Sequence, residues 1–315
     1  MAIRRTLLIA LRARRGWRRT LVGVTWTTAD LPSMDGRTVV VTGANSGIGL
    51  TAARALAAVG AHVVLAVRDE QRGHDAAAAI DGTTEVRTLD LADLRSVRSF
   101  ADRWTGDLDI LINNAGVMAI PEARTVDGFE MQFGTNHLGH FALTNLLVPH
   151  VRDRVVTVAS TAHRAGRIAL DDLNWERRRY QRWGAYGQSK LANLLFTLEL
   201  ERRLTAAGST VRAVAAHPGW TATNLQSHSG NVVITAMMTA SNRVFAQRDD
   251  QGALPTLFAA TQDVPGGSYV GPDGFQELRG HPRLVGRSAA ASDVEVAEAL
   301  WTASERLTGI TFPIG

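Results

Sequence analysis

The strongest constraint on the fold is a strand-like run that leads directly through a glycine-rich turn into a helix-like segment. Residues 37–42 are rich in β-branched side chains, residues 42–49 read T-G-A-N-S-G-I-G, and residues 50–59 are rich in alanine. A continuous apolar run is typical of a parallel strand that is covered on both faces. Strand, glycine-rich turn and helix in this order predict an α/β fold with an anion-binding helix N-terminus.

The same alternation continues along the chain. Further strands are predicted at 61–67, 85–89, 108–113, 154–159 and 210–216, and further helices at 71–80, 94–104, 127–147 and 185–206. Strands that alternate with helices form right-handed βαβ units and a doubly wound parallel sheet. We therefore predict a Rossmann-type fold of about seven strands, flanked by helices in three αβα layers, as a single domain over residues 25–315. Residues 220–251 and the segment after Val264 are expected to form an embellishment over the carboxyl edge of the sheet.

Residues 1–24 are expected to form a basic N-terminal tail outside this domain. Residues 1–20 hold seven of the 34 basic residues and no acidic one, which leaves 27 basic and 30 acidic residues in the remainder. Such a segment is either a disordered tail, an extension upstream of the true start, or an amphipathic helix on anionic lipid. Its apolar run at 7–11 is too short to cross a bilayer. The balanced remainder argues against a nucleic-acid binder.

The composition gives two more constraints. The chain has no cysteine, which excludes disulfides, thiolate metal sites and a catalytic thiol. Lys190 is the only lysine, and every other basic residue is arginine. Lysine is a compact charge that can take part in proton chemistry, whereas the guanidinium stays protonated. Lys190 is therefore either an unconstrained surface residue or a residue at a position that requires an ammonium group.

The surroundings of Lys190 favour the second interpretation. Tyr186 and Lys190 are spaced i, i+4 and therefore share one face of the predicted helix. We expect the ammonium to lower the pKa of the phenol from about 10 toward the working pH, so that the phenol can donate a proton. Ser160 follows a predicted strand at its carboxyl end, where ligands bind and where a hydroxyl would stabilise an oxyanion. Tyr180, the other candidate, has no cation four residues further on.

These motifs resemble the short-chain dehydrogenase/reductase family, over about residues 26–279. The glycine-rich turn has the T-G-x-x-x-G-I-G spacing of the family, and residues 186–190 have its Y-x-x-x-K motif. The resemblance implies transfer of the pro-S hydride between nicotinamide and a carbonyl or alcohol carbon. It also implies that Tyr186 is the general acid/base, that Ser160 binds the substrate oxygen and that Lys190 holds the nicotinamide ribose. Asn136 is then expected to bend its helix and to hold a water that links Lys190 to solvent.

The resemblance further implies which residues contact the cofactor. They are Gly43, Asn45, Ser46, Gly47, Ile48 and Gly49 on the turn, Arg68, Asp90, Leu91, Asn114, Ala115, Gly116, Pro218, Gly219, Thr221 and Thr223 at later strand ends, and Tyr186 and Lys190 at the nicotinamide. Arg68 and Asp69 bear on the choice of cofactor, because a basic residue there binds a 2′-phosphate and an acidic residue binds ribose hydroxyls. The family register favours Arg68, and therefore NADP(H) over NAD(H).

One branch of the family is the most similar, namely that of the retinol dehydrogenases and protochlorophyllide reductases. Three features carry this similarity: N-H-L-G-H-F at 136–141, the wide gap between Ser160 and Tyr186, and residues 267–274. Apolar side chains in the gap predict a lipophilic carbonyl substrate of retinoid, steroid or lipid type. They are Leu173, Trp175, Tyr180 and Trp183. The lack of cysteine departs from the protochlorophyllide reductase pattern and argues against that activity.

Several alternatives remain open. A catalytically silent NADP(H)-binding regulator would share the fold, although such regulators usually lose a member of the catalytic set. His137 and His140 match an H-x-x-H metal pair, but no third ligand has suitable spacing, so we expect packing and no metal. The family often dimerises, and Leu191–Leu204 would form either a homodimer face or part of the core. A cytoplasmic location is expected, with membrane contact through residues 1–20 as an open alternative.

Overall fold

The computed structural model describes residues 25–220 and 249–314, and within them it confirms the Rossmann-type fold. The sheet has eight strands in the order β3-β2-β1-β4-β5-β6-β7-β8. Strands β1 to β7 pair in parallel and β8 pairs antiparallel with β7. The strands are β1 (Thr38–Thr42), β2 (His62–Val67), β3 (Thr84–Thr88), β4 (Leu108–Asn113), β5 (Val151–Val158), β6 (Arg212–Ala216), β7 (Tyr269–Pro272) and β8 (Pro282–Leu284).

Helices cover both faces of this sheet. On one face lie α1 (Gly47–Ala58), α2 (Glu70–Ala78) and α6 (Asp249–Thr261), and on the other lie α3 (Leu94–Asp102), α4 (Gly139–Leu147), α5 (Arg182–Ala206) and α7 (Val294–Thr308). The β-branched runs are buried strands because both of their faces are covered. None of the helices in the described residues combines the length and the apolar content that crossing a membrane requires.

The strand order reverses between β1 and β4, which are neighbours in the sheet. The chain first winds outward from β1 to β3 and then returns to the other side of β1. A crevice opens at the carboxyl ends of the strands where the winding reverses, and ligands bind there in sheets of this type. Thr42, Asn113 and Val158 end β1, β4 and β5 at this edge.

The helix predicted at 127–147 is interrupted in the structure. A short turn at Met131–Phe133 leads into a π turn at Gly134–Leu138, and α4 begins only at Gly139. A π turn widens the helix locally and is often found at functional sites. Gly139 packs against the backbone of Leu91 so closely that an added Cβ would overlap it. The interruption therefore coincides with a tight contact between this helix and the cofactor edge of the sheet.

The prediction for the segment after Val264 was wrong in its main part. Instead of an embellishment, the segment adds β7 and β8 to the sheet and ends in α7, which packs on α5. The rings of Phe196 and Trp301 are stacked there with centroids 5.7 Å apart. Strand β7 contains Gly271 and Pro272 and spans four residues, so it lacks the β-branched run that reveals the other strands.

Two further expectations concern other parts of the chain. The apolar side chains of Leu191–Leu204 are buried within the chain itself, which agrees with the core interpretation of this segment. The homodimer stays a prediction. Residues 1–24 and 221–248 lie outside the described residues, so the expectations for the basic tail and for most of the 220–251 embellishment also stay predictions.

Candidate active site

A cavity of about 780 Å³ runs along the carboxyl edge of the sheet, from the end of β3 to the end of β6. It brings together the predicted site residues Gly43, Asn45, Ser46, Gly47, Ile48, Gly49, Arg68, Asp90, Leu91, Asn114, Ala115, Gly116, Ser160, Tyr186, Lys190, Pro218 and Gly219. Asn136 does not line it, and Thr221 and Thr223 lie outside the described residues. The positions of these residues are therefore those expected of one site, and their individual roles stay predictions.

The glycine-rich turn forms a cradle at the N-terminus of α1. Gly43 and Gly47 have φ of +66° and +55°, which favours glycine at both positions. A Cβ added to Gly49 would stand 2.6 Å from the carbonyl oxygen of Gly43, so only glycine lets α1 approach this closely. The Ser46 side chain makes no capping bond to the first turn of α1. The first N–H groups of α1 therefore remain available to an anion, as a pyrophosphate group requires.

The N-N-A-G segment at residues 113–116 is hydrogen-bonded to the end of β1. The Thr42 hydroxyl accepts hydrogen bonds from the backbone N–H groups of Asn114 and Ala115, both at 2.9 Å. The Asn114 side chain donates to the Thr42 carbonyl at 2.8 Å. Asn113 donates to the Thr144 hydroxyl at 2.9 Å. These bonds hold in place the segment that lines the cavity at the end of β4.

Two arginines line the cavity beyond the end of β2. Arg68 is exposed there, and Arg72 follows one helical turn later in α2. Asp69 caps the N-terminus of α2, because its carboxylate accepts a hydrogen bond from the Arg72 N–H at 3.1 Å. The sequence interpretation missed Arg72, although its four-residue spacing from Arg68 is a recognisable signal.

Tyr186 and Lys190 lie on the buried side of α5, and both line the cavity. The Lys190 Nζ is 5.8 Å from the centroid of the Tyr186 ring and donates to the Val158 carbonyl at 3.1 Å. Ser160 follows β5 and caps the short turn Thr161–Ala165, because its hydroxyl accepts a hydrogen bond from the Ala162 N–H at 3.2 Å. The three side chains expected to act on a substrate therefore meet at one end of the cavity.

The pKa of Tyr186 differs from the expectation. Burial raises it to about 12, and the interaction with the Ser160 hydroxyl, which lowers it, does not compensate. Burial also lowers the pKa of Lys190 to about 8. The expectation that the ammonium brings the phenol toward neutrality was wrong for the chain alone, because the Lys190 Nζ is turned to the Val158 carbonyl and burial dominates. Tyr186 therefore keeps its proton at neutral pH.

Asn136 lies behind the cavity wall in the π turn. Its Oδ1 accepts from the Val117 N–H at 2.8 Å, and its Nδ2 donates to the Val117 carbonyl and to the Ser189 hydroxyl, both at 2.9 Å. Gly116 separates it from Lys190, since a Cβ added there would stand 3.0 Å from Asn136 Oδ1 and 3.6 Å from Lys190 Nζ. The irregular helix at Asn136 agrees with the expected bend. The predicted water link to solvent stays a prediction.

The turn Pro218-Gly219 is held from behind by His217. The Nδ1 of this ring accepts from the Gly219 N–H at 3.2 Å, and its Nε2 donates to the Glu277 carboxylate at 3.1 Å. Gly271 of β7 leaves the space that the ring occupies, because a Cβ there would overlap it. The sequence interpretation assigned no role to His217 or Glu277, since their partners are brought together only by the fold.

Several apolar side chains line the cavity, namely Val117, Met118, Trp183 and Trp220. The rings of Trp183 and Tyr186 lie edge to face, 6.1 Å apart. The other three apolar residues predicted to form a lipophilic surface do not line the cavity: Leu173 and Trp175 are buried, and the Tyr180 hydroxyl bonds to Glu130 and Gln132. That part of the prediction was wrong, because Asp172 accepts backbone N–H groups of residues 176–178 and turns the segment inward.

His137 and His140 are both buried, but their rings bond to different parts of the molecule. The Nε2 of His137 is 2.9 Å from the Ser304 hydroxyl in α7, whereas that of His140 is 2.9 Å from the Thr42 hydroxyl at the end of β1. Within residues 25–220 and 249–314, no group of three or more histidine, aspartate and glutamate side chains is arranged to hold a metal ion.

The chain is similar to known dehydrogenases over most of its length. Residues 37–232 match the family model described as short chain dehydrogenase. Human retinol dehydrogenase 13 is 43% identical over 89% of this chain and 87% of its own length. Mouse polyprenol dehydrogenase is 40% identical over 89% of this chain and 86% of its own length.

A solved structure gives the same result at the level of the fold. The crystal structure of an uncharacterized protein from Mycobacterium paratuberculosis is 57% identical, with a TM-score of 0.81, and the match covers 92% of this chain and all of that one. Identities of this size over whole chains are shared by members of one family. The chain therefore belongs to the short-chain dehydrogenase/reductase family, in its retinol-dehydrogenase-like branch, and is an oxidoreductase that acts on alcohol or carbonyl groups with a nicotinamide cofactor.

Proposed function

We propose that the protein is an NADP(H)-dependent oxidoreductase of lipophilic carbonyl or alcohol substrates, with Tyr186 as the general acid/base. The observation that carries the proposal is one cavity shared by the glycine cradle at α1 and by Ser160, Tyr186 and Lys190. The cradle suits a pyrophosphate, and the groups that handle a substrate oxygen lie at the other end. When bound, the cofactor supplies or accepts the hydride.

The protein side chains would then handle the proton and the oxygen. Tyr186, which holds its proton at neutral pH, donates it to the substrate oxygen as the carbonyl carbon is reduced. The Ser160 hydroxyl donates to the same oxygen and stabilises its developing charge. Lys190 supplies the positive charge beside the phenol, and Asn136, one glycine away from it, would hold the water through which the replacement proton reaches Lys190 from solvent.

The protonation of Tyr186 favours reduction as the easier direction. A phenol with a pKa of about 12 is protonated through the neutral range, as an acid must be to donate. Oxidation of an alcohol needs the same group as a base, and the phenolate becomes more populated as the pH rises. We expect carbonyl reduction to vary little between pH 6 and pH 8 and alcohol oxidation to increase over the same range, which initial rates in both directions would measure.

Two arginines support the preference for NADP(H). Arg68 and Arg72 line the far end of the cavity, while the carboxylate of Asp69 is engaged in capping α2. Two guanidinium groups at this end suit the 2′-phosphate, which accepts paired hydrogen bonds from arginine. We expect Arg68→Ala to weaken NADPH binding by about tenfold to a hundredfold and NADH binding by much less. Arg54→Ala on the exposed side of α1, whose side chain does not line the cavity, is the control.

The preference for lipophilic substrates is supported by the apolar side chains that line the cavity. Met118, Trp183 and Trp220 line the cavity, and Trp183, whose ring lies beside Tyr186, is 44% exposed. Apolar and aromatic walls with few polar groups bind apolar ligands. Two relatives are named for retinol and polyprenol, both of them long isoprenoid alcohols, which supports a substrate of the same chemical class.

The experiment is a screen of retinoid, isoprenoid and short-chain aldehydes for oxidation of NADPH, with Tyr186→Phe beside the wild type. We expect the variant to lose about a thousandfold in kcat and to keep its affinity for NADPH. Tyr180→Phe, the matched control, lies close to the same helix but bonds to Glu130 and Gln132, and it should keep its activity. NADPH binding without turnover of any carbonyl, unchanged in Tyr186→Phe, would support the silent regulator instead.

The proposal includes a cytoplasmic location and contact of residues 1–20 with anionic membranes. Seven arginines without an acidic residue suit anionic lipid headgroups. Sedimentation with anionic vesicles, with and without this segment, measures the contact. Equal sedimentation of the two chains would remove membrane contact from the proposal and leave the enzyme activity unaffected.

A further inference from the structure

The feature that carries a further inference is the buried ring of His140 in α4. It hydrogen-bonds to the end of β1, which adjoins the cofactor cradle, and to the π turn, which adjoins Lys190. Its Nε2 is 2.9 Å from the Thr42 hydroxyl at the end of β1, and its Nδ1 is 3.0 Å from the Asn136 carbonyl oxygen in the π turn. The ring therefore joins the cofactor side of the cavity to the turn that adjoins Lys190.

The partners determine which nitrogen of this ring carries the proton. A carbonyl oxygen can only accept, so Nδ1 must donate to Asn136. The Thr42 hydroxyl oxygen already accepts from the Asn114 and Ala115 N–H groups, and it lies 2.9 Å from His140 Nε2 and 3.4 Å from the Ile112 carbonyl oxygen. We therefore assign the hydroxyl hydrogen to the shorter contact, with Nε2 as its acceptor. His140 is therefore neutral, with Nδ1 protonated and Nε2 accepting.

The surroundings keep the ring in this state. His140 is fully buried, and burial lowers its pKa to about 4, with the positive charge of Lys190 acting in the same direction. The other titratable group that faces it is His137, whose pKa is also lowered by burial, to about 3. Neither imidazole gains a proton in the range where the enzyme works, so the direction of both bonds of His140 is fixed.

The bonds continue beyond Asn136 into the catalytic helix. The Asn136 side chain donates to the Ser189 hydroxyl at 2.9 Å, and that hydroxyl donates to the Tyr186 carbonyl at 2.8 Å. A buried series of hydrogen bonds thus runs from Thr42 through His140, Asn136 and Ser189 to α5. Buried bonds whose donors and acceptors are all satisfied hold their groups in one arrangement.

We propose that His140 is a positioning residue, which fixes the Asn136 turn against the end of β1 and so keeps the cofactor cradle and the catalytic helix in one geometry. This inference rests on the proposed function, because it assigns His140 a role in that reaction. It predicts two separable effects, one for each nitrogen of the ring. Loss of the Nδ1 donor would displace Asn136 relative to Lys190. Loss of the Nε2 acceptor would free the Thr42 hydroxyl, which holds the Asn114 and Ala115 N–H groups beside the cofactor site.

Two substitutions separate the effects, because asparagine retains a donor near the Nδ1 position and glutamine retains an acceptor near the Nε2 position. We expect His140→Gln to lower kcat about tenfold, to shift the pH profile of kcat and to leave the Kd for NADPH within about twofold. His140→Asn should raise the Kd for NADPH about tenfold and keep the pH profile of the wild type. His137→Gln is the matched control: glutamine keeps a polar group near the Nε2 position, which bonds to Ser304 in α7, so this variant should keep the kcat, the pH profile and the Kd of the wild type.

Three results would overturn the inference. The first is an unchanged kcat, pH profile and Kd in both His140 variants. The second is that both His140 variants lose kcat and NADPH affinity to the same extent. The third is that His137→Gln shifts the pH profile as His140→Gln does. Nitrogen-15 NMR of the wild-type histidines tests the proton position without any variant, and a proton on Nε2 of His140 would contradict the assignment. Binding of NADPH, followed by its fluorescence, needs no substrate. If the wild type turns over no substrate, the proposed function is rejected. The predicted effect of His140→Asn on the Kd for NADPH can still be measured in that case.

Discussion

The two faces of the sheet are packed with different kinds of side chain. The face under α1, α2 and α6 is built mainly of alanine, valine and other aliphatic residues, and its aromatic residues are Trp26 and Phe258. The face under α3, α4, α5 and α7 contains a large aromatic group, Phe100, Trp104, Phe129, Phe133, Phe141, Phe196, Tyr269 and Trp301. The sheet thus separates a face of small side chains from a face of large ones.

This difference follows from what each face has to position. Helix α1 must bring its N-terminal N–H groups next to the first strand, and only small residues allow that approach, as Gly49 shows against Gly43. Helix α5 must instead hold a phenol and an ammonium in a fixed relation, with Tyr186 and Lys190 buried in a low-dielectric wall. Large rings behind the helix, such as Phe196 and Trp301, fill that wall and limit its movement. Helix α1 approaches the sheet closely because small residues lie at the contact, and α5 is held rigidly because large aromatic side chains pack behind it.

The largest expected effect comes from replacing the ammonium of Lys190 by a different cation. Lys190→Arg puts a bulkier and permanently protonated group into a site that is 4% exposed, so we expect kcat to fall about a thousandfold. Arg203→Lys is the reciprocal control on the same helix, because the Arg203 guanidinium lies 4.6 Å from the centroid of the Trp301 ring and does not line the cavity. Steady-state kinetics of both variants with NADPH and one aldehyde measure the effect. Comparable losses in both would mean that the position of the lysine has no special importance.

The second effect tests whether large aromatic side chains stabilise the packing of α5 against α7. Trp301 is 2% exposed and packs on both Phe141 and Phe196, with centroids 4.9 Å and 5.7 Å away. We expect Trp301→Ala to lower the free energy of unfolding by about 3 to 5 kcal/mol, because it leaves a large cavity. Chemical denaturation measures the loss. A smaller loss than about 1 kcal/mol would show that the aromatic group is not what holds α5 and α7 together.

The third effect tests the requirement for close approach on the opposite face. Gly49→Ala puts a Cβ 2.6 Å from the Gly43 oxygen, so α1 must shift, at a cost of about 1 to 3 kcal/mol of stability and with weaker NADPH binding. Gly286→Ala is the control, because no atom lies within 4 Å of the added Cβ. NADPH titration and thermal melts compare the two variants. Equal affinity for NADPH in Gly49→Ala and the wild type would contradict the role given to the glycine.

The sequence predicted most of the sheet and the composition of the cavity. Strands β1, β2, β4 and β6 are apolar runs, and β5 ends in one, because both of their faces are buried, and burial on both faces leaves a clear pattern. Ser160 was predicted at the cavity because the carboxyl ends of parallel strands meet at one edge, and Tyr186 and Lys190 were predicted to share one face of a helix because they are four residues apart. Patterns that depend on local neighbours were therefore recovered well.

Properties that depend on distant neighbours were not recovered. The pKa of Tyr186 was expected to fall because Lys190 is four residues away, but burial by the rest of the chain raises it. Trp175 was expected in the cavity because it is apolar, but the loop that Asp172 organises turns it into the core. The partnership of His217 with Glu277 spans 60 residues and leaves no signal in local spacing.

The smallest expected effect is a pH dependence of stability that comes from Lys190, on the face of the sheet under α5. Burial lowers the pKa of Lys190 from 10.5 to about 8, so between these values the folded chain binds fewer protons at this site than the unfolded chain does. Stability therefore rises with pH over this interval, by about 2 kcal/mol between pH 8 and pH 10 for this group. The raised pKa of Tyr186 acts only above pH 10 and in the opposite direction, so it does not interfere. Denaturation of the wild type and of Lys190→Met at pH 7, 8, 9 and 10 isolates the contribution, since the methionine keeps the length of the side chain without a titrating group. We expect the stability of the wild type relative to the variant to increase across this range, and parallel curves would mean that the folded chain does not disfavour the ammonium form.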